Sequence, residues 1–178
     1  MHLRRLNICT FVLLTLLVGL TIASSAAAQT ETIDHAPPPL SIISRAEQEQ
    51  LDRTKDVGDR TKLALKLMDQ RTVGSESAFS NENFDGMFRE LGSFHALMED
   101  NLNYLNQRNT GRGKVLDNFK RFEIGLRKFM PRLETMRREI PLRYEDYVRK
   151  LIIRIRDARA KATEPLFGET VIPSKRSN

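Results

Sequence analysis

Apolar residues along the chain recur at alternating steps of three and four, the spacing that lines one side of an α-helix. No strand-like alternation persists for more than a few residues. Four such segments follow one another. The first opens at Ser44, where Ser44-Arg45-Ala46-Glu47 forms a capping box: the serine accepts from the third amide and the glutamate reaches back. It is expected to run to about Thr72, with Leu51, Thr54, Gly58, Thr61, Leu65 and Met68 facing inward. The small residues in the middle of that face predict a close helix neighbour. Val73 to Asn81 holds Gly74, Ser75, Ser77 and Ser80 and reads as a turn.

The second segment, about Glu82 to Asn106, carries the clearest stripe: Phe84, Met87, Phe88, Leu91, Phe94, His95, Met98, Leu102 and Leu105. A loop over 107–113 leads to a third helix bearing Val115, Leu116, Phe119, Phe122, Leu126, Phe129, Met130, Leu133, Met136 and Ile140. Its stripe stays in phase through Pro131, so a kink is expected there rather than a break. Pro141 suits the first residue of a fourth helix, lined by Leu142, Tyr144, Tyr147, Val148, Leu151, Ile152, Ile155 and Ala158 and ending before Pro165. The expectation is an all-α, elongated antiparallel bundle of about four helices over 44–167, with a loose tail over 168–178.

Ahead of the bundle lie two further segments. Residues 1–28 have the layout of a cleavable export signal: Arg4 and Arg5, an apolar run from Ile8 to Ile22, then Ala23 to Ala28 with cleavage expected between Ala28 and Gln29. Fifteen apolar residues span about 22 Å, short of a bilayer core of roughly 30 Å, so no membrane span is expected once the signal is removed. Residues 29–43 form a polar leader ending in Pro37-Pro38-Pro39, extended because proline cannot continue a helix. These features predict an exported protein, periplasmic or secreted and bacterial. The chain holds no Asn-x-Ser/Thr acceptor.

Composition narrows the chemistry. The single cysteine, Cys9, falls within the export signal, so the remaining chain has no disulfide, thiol nucleophile, cysteine-held zinc or iron–sulfur cluster. Charge is divided unevenly: residues 29–110 sum to −5 and residues 111–161 to +9. One consequence is side-by-side packing of acidic and basic helices, reinforced by acid-first pairs four apart. Examples are Glu49–Arg53, Glu123–Arg127, Glu134–Arg138, Asp146–Lys150 and Asp157–Lys161. The other is an anion-facing surface on the third and fourth helices, with Arg112, Lys114, Lys150 and Arg154 as candidate contacts.

Gly111-Arg112-Gly113-Lys114 lacks the spacing, the hydroxyl residue and the preceding strand of a phosphate-binding loop. His95 and Glu99 share a face, but the only other histidine past the signal is His35, so no metal is expected. No nucleophile motif accompanies His95, and no cofactor is indicated. A non-enzymatic binding, scaffolding or accessory role is therefore expected, with an anionic envelope component or acidic protein as partner and a homodimer as one arrangement. Nucleic acid is not expected, because Phe119 and Phe122 lie on the buried stripe and cannot stack bases. Two other readings follow from the residues. One is a carrier of a small apolar ligand held at the methionine-rich seam; the other is a glycan or peptide hydrolase using paired acids.

Overall fold

The structure, a computed structural model, describes residues 35–111 and 113–167, all of which fall within one compact unit. The export signal, its cleavage position at Ala28 and Gln29, Arg112 and the tail from 168 lie outside the described residues. Six helices and no strand occur among the described residues. They are α1 (Arg45–Arg53), α2 (Val57–Ser80), α3 (Phe84–Gln107), α4 (Lys114–Arg127), α5 (Phe129–Glu139) and α6 (Leu142–Phe167).

Each departure from the four expected helices has a local cause. Ser44 caps α1 through the full capping box, but the helix stops at Arg53 instead of continuing to Thr72. Asp56 ends that continuity: its carboxylate accepts from the amides of Gly58 and Asp59 at 2.9 and 3.0 Å and starts a new helix. Gly58, expected on the inward face, is the second residue of α2 and is buried there. The expected turn at 73–81 is helical as far as Ser80. The Ser75 hydroxyl donates back to the Thr72 carbonyl and that of Ser80 to the Glu76 carbonyl, so these hydroxyls bond within the helix. The chain turns only at Asn81–Asn83, where Glu82 takes φ 56° and Asn83 caps α3.

The helix expected to kink at Pro131 is interrupted three residues earlier, at Lys128 between α4 and α5, which keeps helical dihedrals. Proline clashes with the carbonyl four residues before it, which is that of Arg127, the last residue of α4. Pro141 lies one residue before α6, whereas Pro165 is held inside it and the helix continues to Phe167. The carbonyl deprived of a partner there belongs to the exposed Lys161, where water can satisfy it.

Two helical hairpins make the bundle. In one, α2 runs against α3, as the contacts Arg60–Asp100 and Arg71–Glu90 show. In the other, the α4–α5 rod runs against α6, with Glu123 meeting Arg159 and Arg137 meeting Glu145. The hairpins lie together so that α3 and α6 run parallel: Phe84 stacks on Tyr144, Phe88 meets Tyr147, and His95 meets Arg154. Likewise α2 runs parallel to α4–α5, from Asp56–Lys114 at one end to Glu76–Arg132 at the other. The core is the predicted stripes facing one another, with Met68, Met87, Leu91, Phe94, Phe119 and Phe122 fully buried. Phe94 and Phe129 meet edge to face, centroids 5.1 Å apart. No described helix is long and apolar enough to cross a membrane.

Candidate functional site

The candidate contacts for an anion stand in different settings. Lys114, the first residue of α4, reaches across to the Asp56 carboxylate, joining the starts of α2 and α4. Lys150 pairs at 2.6 Å with Asp146, a carboxylate that Arg149 also holds. Arg154 lies 3.0 Å from His95 Nε2 and 3.9 Å from Glu99. The structure does not bring these three into one cluster.

Half of the other second-half cations are also held by acids. Arg132 forks onto Glu76 at 2.6 Å and touches Asp69 at 2.6 Å. Arg159 and Arg127 share the buried Glu123, at 3.0 and 2.8 Å. Arg156 and Arg137 share Glu134. Several acid-first pairs expected within a helix therefore give way to partners across helices.

Six described cations of this half form no ion pair: Arg138 on α5, Arg143 and Lys161 on α6, and three that share the outer face of α4. Lys120, Arg121 and Lys128 line a surface cavity of about 350 Å³ together with Asp117, Ile124 and Leu65. None of the three cations forms an ion pair with a described carboxylate, and Arg121 donates instead to Asn118. Ile124 at the centre is 44% exposed, so it contributes little to the core from there. The spacing explains the arrangement: positions 120, 121, 124 and 128 fall on one side of a helix, opposite Phe119, Phe122 and Leu126. Gly125 allows α2 to come close, since a Cβ there would meet the Leu65 methyls at 2.5 and 2.8 Å. An aliphatic side chain ringed by unspent cations suits an anionic surface with an apolar boundary.

His95 shows what sequence spacing could not. Ser41 of the leader supplies the missing hydroxyl, with Oγ 2.9 Å from Nδ1. On the other side of the ring, Nε2 faces Glu99 at 3.0 Å and Arg154 at 3.0 Å. One nitrogen cannot both donate to a carboxylate and accept from a guanidinium, so two neutral tautomers are available. With Nε2–H toward Glu99, Nδ1 accepts from Ser41; with Nε2 accepting from Arg154, Nδ1–H donates to Ser41. Burial pulls the imidazole below its ordinary range, against the opposing charge of Glu99, and favours these neutral forms. The cluster fastens the leader in either tautomer. Only the first makes His95 a base toward Ser41.

Of the methionines at the expected apolar seam, Met68 and Met87 are fully buried, Met98 and Met136 nearly so, and Met130 partly. Phe119 and Phe122 are fully buried and present no ring to a base. Among the described residues no group of three histidines, cysteines or acids stands ready to share a metal. Compared with protein-family models, curated proteins and solved structures, the chain finds no match.

Proposed function

We propose that this chain is an exported, non-enzymatic binding protein of the cell envelope, periplasmic or secreted, that attaches to anionic material through the outer face of α4. Export rests on the signal pattern of residues 1–28. The observation that carries the binding reading is the exposed Ile124 among Lys120, Arg121 and Lys128, in a bundle that pairs most of its second-half cations with acids. Cations that stabilise the fold through a carboxylate are already partly neutralised; these three are not. Each cation brought to an anionic membrane surface contributes about 1 kcal/mol. Losing two of them therefore weakens attachment by about thirtyfold.

Sedimentation with vesicles containing anionic phospholipid tests the reading, with zwitterionic vesicles as the control. Attachment should fall with added salt, and Lys120→Glu with Lys128→Glu should abolish it while the circular dichroism spectrum stays helical. Ile124→Ser should weaken attachment without changing its salt dependence. Attachment indifferent to salt and to both charge reversals would refute the α4 surface.

A further inference from the structure

The corner between α1 and α2 packs against the last turns of α3. The Thr54 amide closes α1 by donating to the Leu51 carbonyl at 3.2 Å. The Tyr104 hydroxyl, on α3, donates to the Lys55 carbonyl at 3.2 Å and holds the link between the two helices. Because α2 starts at Val57, Arg60 falls in its first turn and reaches Asp100 of α3. A cavity of about 280 Å³ opens at this corner, walled by α1, the link and the end of α3, with Arg60 lining it from α2.

Arg60 is the member of that wall whose chemistry is unfinished. Its side chain is only 6% exposed, and a guanidinium set so deep ordinarily spends its donors on anions. Of its five N–H donors, one forms a hydrogen bond among the described residues, from Nη2 to Asp100 at 2.7 Å. Asp52 stands 4.0 Å from Nη1, beyond hydrogen-bonding range, and Nε is enclosed without an acceptor. The guanidinium carbon of Arg60 lies 4.3 Å from the centroid of the Tyr104 ring, and that of Arg108 lies 3.7 Å from it. The ring thus positions two cations without neutralising either. Lys55 is the third cation of the wall, and neither it nor Arg108 pairs with a described carboxylate. Against these three stand two acids, Asp52 and Asp100, so the lining sums to +1.

We infer that this cavity is a binding site for a hydroxylated monocarboxylate, a sugar acid, with its carboxylate on Arg60 and its hydroxyls toward Gln107 and the two acids. A planar carboxylate matches the unspent donors of a guanidinium, and one negative charge answers the excess of the walls. Asp52 and Asp100 accept from hydroxyls but repel a second anionic group. A phosphomonoester, with close to two charges at neutral pH, is disfavoured on that ground. An apolar molecule would bury the charges of the wall unmet. The volume is at the small end for a ligand cleft and has room for one sugar unit. None of the lining residues belongs to α4, so the site is separate from the surface around Ile124.

The probes are glucuronate and galacturonate, titrated into the nitrogen-15-labelled chain and followed by amide chemical shifts. At least one should give saturable shifts over residues 48–60 and 100–108, with α4 unmoved. Glucose, which lacks the carboxylate, and acetate, which lacks the hydroxyls, should each bind at least about tenfold more weakly. Arg60→Lys keeps a cation for Asp100 but loses the fork, and should also weaken the uronate at least about tenfold. Lys55→Gln with Arg108→Gln, both at exposed positions, should weaken it about fivefold and leave the spectrum of the unliganded chain folded, which provides a test even if Arg60→Lys does not fold. Four results would overturn the proposal: no saturable shift with either uronate, glucose binding as well as the uronate, acetate binding as well as the uronate, or shifts confined to α4. The third would mark a site for a bare anion, and the fourth would assign the uronate to the other cationic surface. Vesicle attachment is read in a different assay on different residues, so either reading can fail without the other.

Discussion

Gly92→Ala sets two effects of similar size against each other. Gly92 lies in the interior of the 24-residue α3, where alanine in place of glycine stabilises a helix by about 1 kcal/mol. The new Cβ, however, would stand 2.4 Å from the Leu40 carbonyl oxygen and 3.2 Å from both the Leu40 carbonyl carbon and Pro39 Cβ. The closest obstruction is backbone, so no rotamer change relieves it. The leader has to lift by about 1 Å to restore ordinary van der Waals contact. Such a lift stretches the 2.9 Å Ser41–His95 bond out of hydrogen-bonding range and costs about 1 kcal/mol. The net change in unfolding free energy should therefore be near zero, while the Ala36 amide, which donates to the Arg143 carbonyl, loses its protection from exchange. His95 should also gain solvent and titrate closer to its ordinary value, which NMR of its ring resonances reads directly. Gly125→Ala is the comparison, because its clash is with the Leu65 methyls, the movable end of a half-buried side chain. A Gly92→Ala protein that melts about 4 °C higher with its Ala36 amide still protected would refute the reasoning, since the helix gain would then have met no opposing contact.

Glu123→Gln removes the charge that holds both Arg127 and Arg159, at a side chain only 8% exposed, and should cost about 2–4 kcal/mol in urea unfolding. Phe94→Ala empties the contact with Phe129 at the centre of the bundle and should cost about 3–5 kcal/mol in the same assay. Acid should weaken the fold in two steps. Burial holds the folded His95 below 6.5, so the unfolded chain takes a proton that the native state refuses, and stability falls as pH drops below about 6.5. Burial raises Glu47, but the hydrogen bonds from Arg71 and Ser44 outweigh it. Those from Arg127 and Arg159 depress Glu123. Both carboxylates therefore contribute stability above about pH 4.5 that is lost as pH falls further. His95→Asn should flatten the first step and leave the second, measured as urea midpoints from pH 7 to pH 3.

The parts of the fold legible in the sequence are those governed by one energy term. Eight of the nine stripe residues of α3 are buried, because helical periodicity and burial ask for the same spacing. Boundaries were harder, because there a side chain chooses between two uses. Asp56 stands four residues before Arg60 in the acid-first order, yet it caps α2 while Arg60 turns inward to Asp100 at 2.7 Å. Ser75 and Ser80 are turn formers by preference and helix residues here because their hydroxyls bond back along α2. The Ser41–His95 contact spans 54 positions and has no local signal; only the docking of the leader on Gly92 brings the two together.

The division of charge along the chain acts on the same principle. A surface ion pair contributes little stability on its own, so the many pairs matter chiefly for which helix lies beside which. Arg132 joins α5 to α2 through two acids seven residues apart, Asp69 and Glu76, which are two helical turns and about 10 Å of rise. A one-turn slip of α5 along α2 would break at least one of those contacts. Glu123 fixes α4 to α6 from a nearly buried position, where an unmatched carboxylate would be costly. Together these contacts select the arrangement in which α2 parallels α4–α5 and α3 parallels α6. They do so with the cations that face other helices. Lys120, Arg121 and Lys128 face none of those acids, so that part of the charge excess on α4 has no role in setting the register of the bundle. Substitutions there should leave register and melting temperature unchanged while altering what the surface attracts, whereas Arg132→Gln should do the reverse.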